Sequence, residues 1–137
     1  MPGSLITQDE ARNLVLEMSV HRRSDQLGTL SVDPKLIASG EYGWVFSCAY
    51  LEPDGRKVVM LGNCPILVER RTGKAHVLGY QAPLGFYVAN FERFGDPHRT
   101  SCKGRAILFK SEAIFFVKNV TALFGALWWR LFENRSR

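Results

Sequence analysis

The stretch Glu41-Tyr-Gly-Trp-Val-Phe-Ser-Cys-Ala-Tyr-Leu51 decides the fold. Its large side chains recur at every second position, and they are Tyr42, Trp44, Phe46, Cys48 and Tyr50. A period of two is typical of a β-strand, because successive side chains of a strand point to opposite faces of its sheet. The stretch therefore predicts a strand whose aromatic face is turned toward a hydrophobic core.

Turn-forming residues divide the segment that follows into further strands. The tetrapeptide Glu-Pro-Asp-Gly at 52–55 favours a β-turn, because proline presets the dihedral of the second position and glycine suits the fourth. Gly62-Asn63 interrupts the next apolar run before Pro65, and Thr72-Gly73 separates two short β-rich runs. The pattern predicts an antiparallel meander of about four strands.

Two amphipathic helices are predicted to flank these strands. Thr7 and Glu10 have the spacing of a capping box, which marks a helix start. Pro83 suits the first turn of a second helix, for which Gly95 is a natural stop. The apolar residues at helical spacing are Ala11, Leu14, Val15 and Met18 in the first helix and Leu84, Tyr87, Val88 and Phe91 in the second. Each helix therefore presents one apolar stripe.

The order of these elements predicts an α+β domain over residues 1–97. We expect two layers, with the antiparallel meander covered by the N-terminal helix and by the helix that follows the meander. Both apolar stripes are expected to share one core with Trp44 and Phe46. A short edge strand is predicted at 29–32, because an edge strand tolerates the nearby Pro34. This domain is expected to fold without the rest of the chain.

The remaining residues differ in composition from the domain. Residues 98–110 begin with a polar run and predict a linker or a short strand. Residues 111–137 predict an apolar, basic helical tail, since only Lys118, Asn119, Thr121 and Arg130 are polar between 113 and 132. The apolar surface of such a tail must be buried. It could pack against the open face of the sheet, against a partner or second copy, or in a membrane.

Charge is distributed unevenly along the chain. Residues 1–97 carry 10 Lys and Arg against 11 Asp and Glu, giving −1, whereas residues 98–137 carry 8 against 2, giving +6. Because nucleic-acid binding requires basic residues clustered on the folded surface, a near-neutral domain disfavours it. We therefore expect no nucleic-acid partner.

Residue spacing indicates neither catalysis nor a metal site. Cys48, Cys64 and Cys102 form no Cys-x-x-Cys pair, and the three histidines are isolated from one another and from the cysteines. No nucleophile elbow or phosphate-binding loop is present in the sequence. A non-enzymatic protein without cofactor is expected, and a dyad of His76 with Cys48 or Cys64 is the alternative.

The N-terminus lacks the basic region and long apolar run of a secretory signal. We therefore expect a cytoplasmic protein with free thiols, with peripheral or tail-anchored membrane association as an alternative.

The sequence Gly43-Trp44-Val45-Phe46, followed by Gly62-Asn63, Pro65-Ile66 and Thr72-Gly73, resembles the immunity protein 35 family, which includes the YrhB-like small bacterial proteins. The resemblance covers roughly residues 7–94. Its motif residues are Gly43, Trp44, Phe46, Gly62, Asn63, Pro65, Gly73 and Tyr87. It implies a non-enzymatic bacterial protein that binds and neutralises a cognate toxin by occlusion. The YrhB-like members imply an alternative, a small chaperone-like protein that holds partly unfolded clients.

Two groups of residues are candidates for partner binding. Arg70, Arg71 and Lys74 place three cations on the predicted hairpin tip, where an acidic partner surface could use them. Phe124, Trp128 and Trp129 are large aromatic residues of the tail, through which self-association or membrane contact is expected.

Overall fold

The computed structural model describes residues 5–22, 28–59 and 63–133, and for residues 22 and 123–133 it describes the backbone only. In chain order the elements are α1 (Gln8–Arg22), β1 (Ser31–Gly40), β2 (Gly43–Leu51), β3 (Lys57–Val58), β4 (Ile66–Glu69), β5 (Ala75–Val77), α2 (Leu84–Phe94) and α3 (Cys102–Glu133). All the strand pairs of the sheet are antiparallel. The predicted α+β class, with an antiparallel sheet and flanking helices, is confirmed.

Strand β2 is the centre of the sheet, whose order is β1-β2-β4-β5. The short strand β3 pairs with the end of β2 through Tyr50 and Val58, and β4 pairs with its beginning through Trp44 and Val68. The edge strand predicted at 29–32 is longer in the structure, because β1 continues through Pro34, which lies opposite Cys48. An edge strand accommodates this proline because one side of its backbone has no neighbour to bond.

Helix α1 covers one face of the sheet, and its capping box is formed as predicted. Thr7 N donates to the Glu10 carboxylate at 2.6 Å, and Glu10 N donates to the Thr7 hydroxyl at 3.3 Å. The buried core of this face contains Ala11, Val15, Trp44, Phe46, Cys48, Tyr50, Ile66 and Val68. Trp44 is 5% exposed, so its predicted place in the core is confirmed.

Helix α2 covers the opposite face, where Tyr87 packs with Val45, Leu67 and Leu78. Its end at Gly95 is confirmed, with φ of 69° and a bond from Gly95 N to Phe91 O at 2.7 Å. The prediction that both helices share one core is wrong. Both alternating sets of β2 side chains are apolar, so each face of the sheet requires its own helix.

Helix α3 begins at Cys102, so the prediction of a linker or short strand at 98–110 is wrong for most of that range. A buried polar network ties its start to α2. Asn90 Oδ1 accepts from Ser101 N at 2.7 Å, Asn90 Nδ2 donates to Pro97 O at 3.1 Å, and the Ser101 hydroxyl accepts from Gly104 N at 2.9 Å. Ser101 therefore caps α3, and the polar run that reads as a linker in the sequence is the cap.

The predicted helical tail at 111–137 agrees with α3 as far as Glu133. Within the described part of the chain, no helix has the length and hydropathy needed to cross a bilayer.

Candidate functional site

The candidate site is a cleft between two hairpin turns and the end of α2. Gly43 pairs with Glu69, which places the β1–β2 turn beside the β4–β5 turn. Gly43 has φ of 134°, and a side chain there would collide with the carbonyl oxygen of Val68. Only glycine therefore allows the two turns to approach this closely.

We call this space the hairpin cleft. Its volume is about 360 Å³, and it is lined by Glu41, Tyr42, Glu69, Arg71, Phe91, Glu92 and Gly95. Three of these residues are carboxylates and one is a cation, so the lining is acidic overall. The rings of Tyr42 and Phe91 add apolar surface to the same space.

The β4–β5 turn holds the Glu69 side chain in place. Glu69 N donates to Lys74 O at 2.9 Å, and Gly73 N donates to Glu69 O at 3.0 Å. Gly73 adopts φ of 69°, which favours glycine and accounts for its place in the motif. The Thr72 hydroxyl accepts from Lys74 N at 3.1 Å and donates to Glu69 Oε2 at 2.5 Å.

A histidine on the next strand completes this arrangement. His76 Nε2 lies 2.6 Å from Glu69 Oε1, and the two side chains are only 13% and 18% exposed. The His76 ring meets Phe91 edge to face, with 5.3 Å between centroids. Both oxygens of the Glu69 carboxylate therefore have a partner, and the imidazole is held against α2.

Opposing effects act on the ionisation of Glu69. Burial, the largest single effect, raises its pKa, but the hydrogen bonds from Thr72 and His76 and the charges of His76 and Lys74 together outweigh burial, so the pKa of Glu69 is lowered from 4.5. Glu69 is therefore ionised at neutral pH. Because an ionised carboxylate can only accept, the Nε2 proton of His76 is the donor in their hydrogen bond.

Tyr42 is the second titratable group of the cleft whose pKa is shifted by its surroundings. Burial raises the pKa of Tyr42, and the nearby charge of Glu92 raises it further. The phenol is therefore neutral over the physiological range and is able to donate a hydrogen bond into the cleft.

The lining of the cleft is suited to binding a cationic side chain. Carboxylates beside aromatic rings attract a cationic side chain, whose aliphatic stem packs on the rings while its charged end meets the carboxylates. No group of three or more His, Cys, Asp or Glu residues among the described residues is placed to hold a metal ion.

The alternative thiol–imidazole dyad does not form. The Cys48 thiol contacts the Ser19 hydroxyl at 3.2 Å on the α1 face, whereas His76 lies on the α2 face. Cys64 lies three residues before Leu67, the cross-strand neighbour of His76. The Nε2 atom of His76 is hydrogen-bonded to Glu69 Oε1, so this nitrogen is not paired with the Cys64 thiol.

The predicted partner-binding cations separate in the structure. Arg71 lines the hairpin cleft, and Lys74 lies in the β4–β5 turn. Arg70 points to the other face, where its guanidinium lies 4.6 Å from the Trp44 ring centroid and its Nη2 donates to Gly40 O at 3.1 Å. Arg70 is therefore directed away from Arg71 and toward Trp44, and its part in partner binding stays a prediction.

The motif residues mainly hold the sheet together. Trp44, Phe46 and Tyr87 are buried, and Pro65 O accepts from Leu78 N at 2.8 Å. Asn63 uses its side chain to donate to Cys48 O at 2.5 Å. Gly62 and the side chains of Phe124, Trp128 and Trp129 lie outside the described residues.

Sequence reasoning missed the pair of Glu69 and His76 and the pair of Tyr42 and Glu92. The first pair is signalled in the sequence, since Glu69 and His76 flank a predicted hairpin turn at positions that share a face. The second carries no local signal because 50 residues separate its members.

No protein-family model, curated protein or solved structure matches this chain.

Proposed function

We propose that this chain is a non-enzymatic immunity-type protein that binds a cognate protein toxin and neutralises it by occlusion. The observation that supports the proposal is the hairpin cleft, an acidic and aromatic recess held open by two hairpin turns. The resemblance of the motif from Gly43 to Gly73 to the immunity protein 35 family agrees with this role.

The cleft fits a lysine or arginine side chain of the partner. Glu41 and Glu92 supply negative charge at the cleft, while Tyr42 and Phe91 accept the aliphatic stem. Because several carboxylates surround one recess, a basic loop is attracted over a distance comparable to the Debye length.

Occlusion requires no chemistry from this chain. A toxin whose basic surface is seated on the hairpin cleft loses access to whatever that surface binds. The rigidity of the cleft favours tight binding, since little conformational freedom remains to be lost on association. Hydrogen bonds that fix Glu69, Thr72 and His76 contribute this rigidity.

Affinity capture from the native bacterium tests the proposal. Tagged full-length chain is compared with Glu41→Lys, which reverses a charge at the cleft, and with Glu17→Lys, which makes the same change on the exposed side of α1. We expect one dominant protein in the wild-type and Glu17→Lys samples and its loss from the Glu41→Lys sample. Equal capture by all three chains would mean that the hairpin cleft does not bind the captured protein.

One observation favours the chaperone-like alternative. Helix α3 exposes several large apolar side chains, and those of Phe109, Phe115 and Phe116 are 73%, 70% and 69% exposed. Exposed apolar surface of this kind holds unfolded clients. Suppression of aggregation of several unrelated heat-denatured proteins at equimolar ratio would support this alternative, whereas stoichiometric binding of one folded partner would support the immunity role.

A further inference from the structure

Helix α3 has one face that is occupied by α2. Gly104 is buried beside Asn90, and Ile107 packs close to Gly85 of α2. Ser111 continues this face and is half-buried. Residues spaced three or four apart share a helix face, so this side of α3 is fixed against the domain.

The opposite face carries an exposed apolar stripe. We call its described members the α3 stripe: Phe109, Ala113 and Phe116 are exposed, and Val120 is half-buried. Phe109 and Phe116 are 73% and 69% exposed. At 100° per residue, Phe109 lies about 160° around the helix from Ser111, which places the stripe away from α2.

The spacing of the α3 stripe is that of a helix-pairing surface. Its members are separated by four, three and four residues, which is the alternation of a heptad repeat. In the sequence the same spacing continues back to Ala106 and Cys102 and forward to Leu123 and Leu127. An apolar period of 3.5 over more than three heptads is typical of a helix that pairs with another helix.

We propose that the α3 stripe binds the same stripe on a second copy of this chain, with the two helices antiparallel. A two-fold interface requires that residue i contacts residue j while j contacts i. With the axis between Ala113 and Phe116, each Ala113 faces Phe116 of the other copy, and each Phe109 faces Val120. Small residues therefore oppose large ones, as knobs-into-holes packing requires.

Charge selects the antiparallel direction. In a parallel pair, Arg105 would lie beside Lys110 of the other copy, and the two cations would repel each other. In the antiparallel pair, Lys110 lies beside Val117 of the other copy and Glu112 lies beside Asn119. No like charges then flank these central positions.

The length of the stripe is adequate for a stable dimer. From Cys102 to Leu127 the helix extends about 38 Å. A phenylalanine ring buries roughly 150–250 Å² when it is covered, so Phe109 and Phe116 supply a large part of the about 800 Å² per partner of a specific interface. The two rings are therefore expected to dominate the binding energy.

Sedimentation velocity of the full-length chain over about 1–100 µM tests the proposal. We expect the mass to rise from 15.5 kDa to twice that value as concentration increases. Phe116→Gln is expected to raise the dimer Kd at least about 30-fold. Phe115→Gln is the matched control, because Phe115 is 70% exposed but lies off the stripe. It is expected to change the Kd less than about threefold.

Three results would overturn the proposal. The first is a wild-type chain that stays monomeric over the whole range, and the second is an equal effect of Phe115→Gln and Phe116→Gln. The third is a monomeric chain that loses binding to another protein, or to anionic lipid vesicles, when Phe116 is replaced. That result would assign the stripe to that partner.

Cysteine cross-linking tests the direction of the pair. Two variants, Ala106→Cys and Leu123→Cys, are prepared with Cys102→Ser and are mixed under mild oxidation with oxidised glutathione. Both retain Phe109 and Phe116. We expect disulfides mainly between the two different variants, above the background of Cys102→Ser alone. Disulfides mainly within one variant would indicate a parallel pair and contradict the antiparallel arrangement.

Discussion

The imidazole of His76 donates to the carboxylate of Glu69 across 2.6 Å, inside the hairpin that forms one wall of the cleft. Glu69 is the last residue of β4, and His76 is the middle residue of β5. Their hydrogen bond therefore joins β4 and β5 next to the turn between them. It also keeps both side chains on the face of the sheet that α2 covers.

The lowered pKa of Glu69 predicts that acid weakens the fold. A carboxyl whose folded-state pKa is depressed contributes stability that is present above its ordinary value of 4.5 and is lost as the pH falls through the folded-state pKa. We expect Glu69→Gln to be less stable than wild type at pH 7 and this difference to shrink below about pH 4.5. Urea unfolding of both chains at a series of pH values measures this difference in the free energy of unfolding. A difference that does not change with pH would contradict the account.

Trp44 is predicted to be a residue of the core rather than a ligand platform. It is 5% exposed, so Trp44→Ala leaves a large cavity and should reduce the free energy of unfolding by about 3–5 kcal/mol. Trp44→Phe, which keeps an aromatic ring under the Arg70 guanidinium, should cost less. Denaturant unfolding measures both variants. A Trp44→Ala chain of wild-type stability that has lost only partner binding would refute this placement.

Tyr42 is predicted to ionise above the ordinary tyrosine value of 10.0 because it is partly buried and lies near Glu92. Glu92→Gln should lower the pKa of Tyr42 but leave it raised, since burial is the larger cause. A group with a raised pKa contributes stability that is lost as the pH rises through that pKa, so the fold should weaken above about pH 10. Ultraviolet titration of wild type, with Tyr42→Phe as the reference, isolates this group. An ordinary Tyr42 pKa in wild type would contradict the prediction.

The buried Asn90 is predicted to hold α3 on α2. Asn90→Ala removes the bonds to Pro97 and Ser101 and leaves buried polar groups without partners, so we expect a loss of about 2–4 kcal/mol. Asn119→Ala, on the exposed part of α3, is the matched control and should change stability little. Thermal unfolding followed by circular dichroism compares the two. Equal stability of the variants would mean that the network does not anchor α3.

The same contacts revise the expectation that residues 1–97 fold independently. Without α3, Asn90 Oδ1 loses both bonds from Ser101, and Gly85 loses the cover of Ile107. A chain of residues 1–97 should therefore unfold at lower urea concentration than the full chain. An unchanged urea midpoint would mean that residues 1–97 fold independently of α3, as the sequence predicts.

Local patterns suffice to predict most of the elements. The alternation from Glu41 to Leu51 predicts β2, the capping box predicts the start of α1, and Gly95 predicts the end of α2, since each depends on residues close in sequence. Layering is harder to predict. Val45 and Leu67 form a second apolar face behind Trp44, and nothing local assigns α1 to one face and α2 to the other.

The start of α3 and the cleft illustrate why nonlocal features escape sequence reasoning. Ser101 reads as part of a polar linker until Asn90, eleven residues earlier, is seen to bond it. Arg70 reads as part of a basic tip, yet in the turn that follows β4 its guanidinium lies over the Trp44 ring. Glu41 and Glu69 line one cleft because Gly43 permits the close approach of two turns, and Glu92 reaches the same cleft from α2.

Growth rescue tests most directly the claim that the hairpin cleft neutralises a toxin. The protein captured by the wild-type chain is expressed in a bacterial host together with wild type, Glu41→Lys or Glu17→Lys at equal levels. We expect the captured protein alone to arrest growth, wild type and Glu17→Lys to restore it, and Glu41→Lys to fail. Full rescue by Glu41→Lys, or no arrest by the captured protein, would contradict the account.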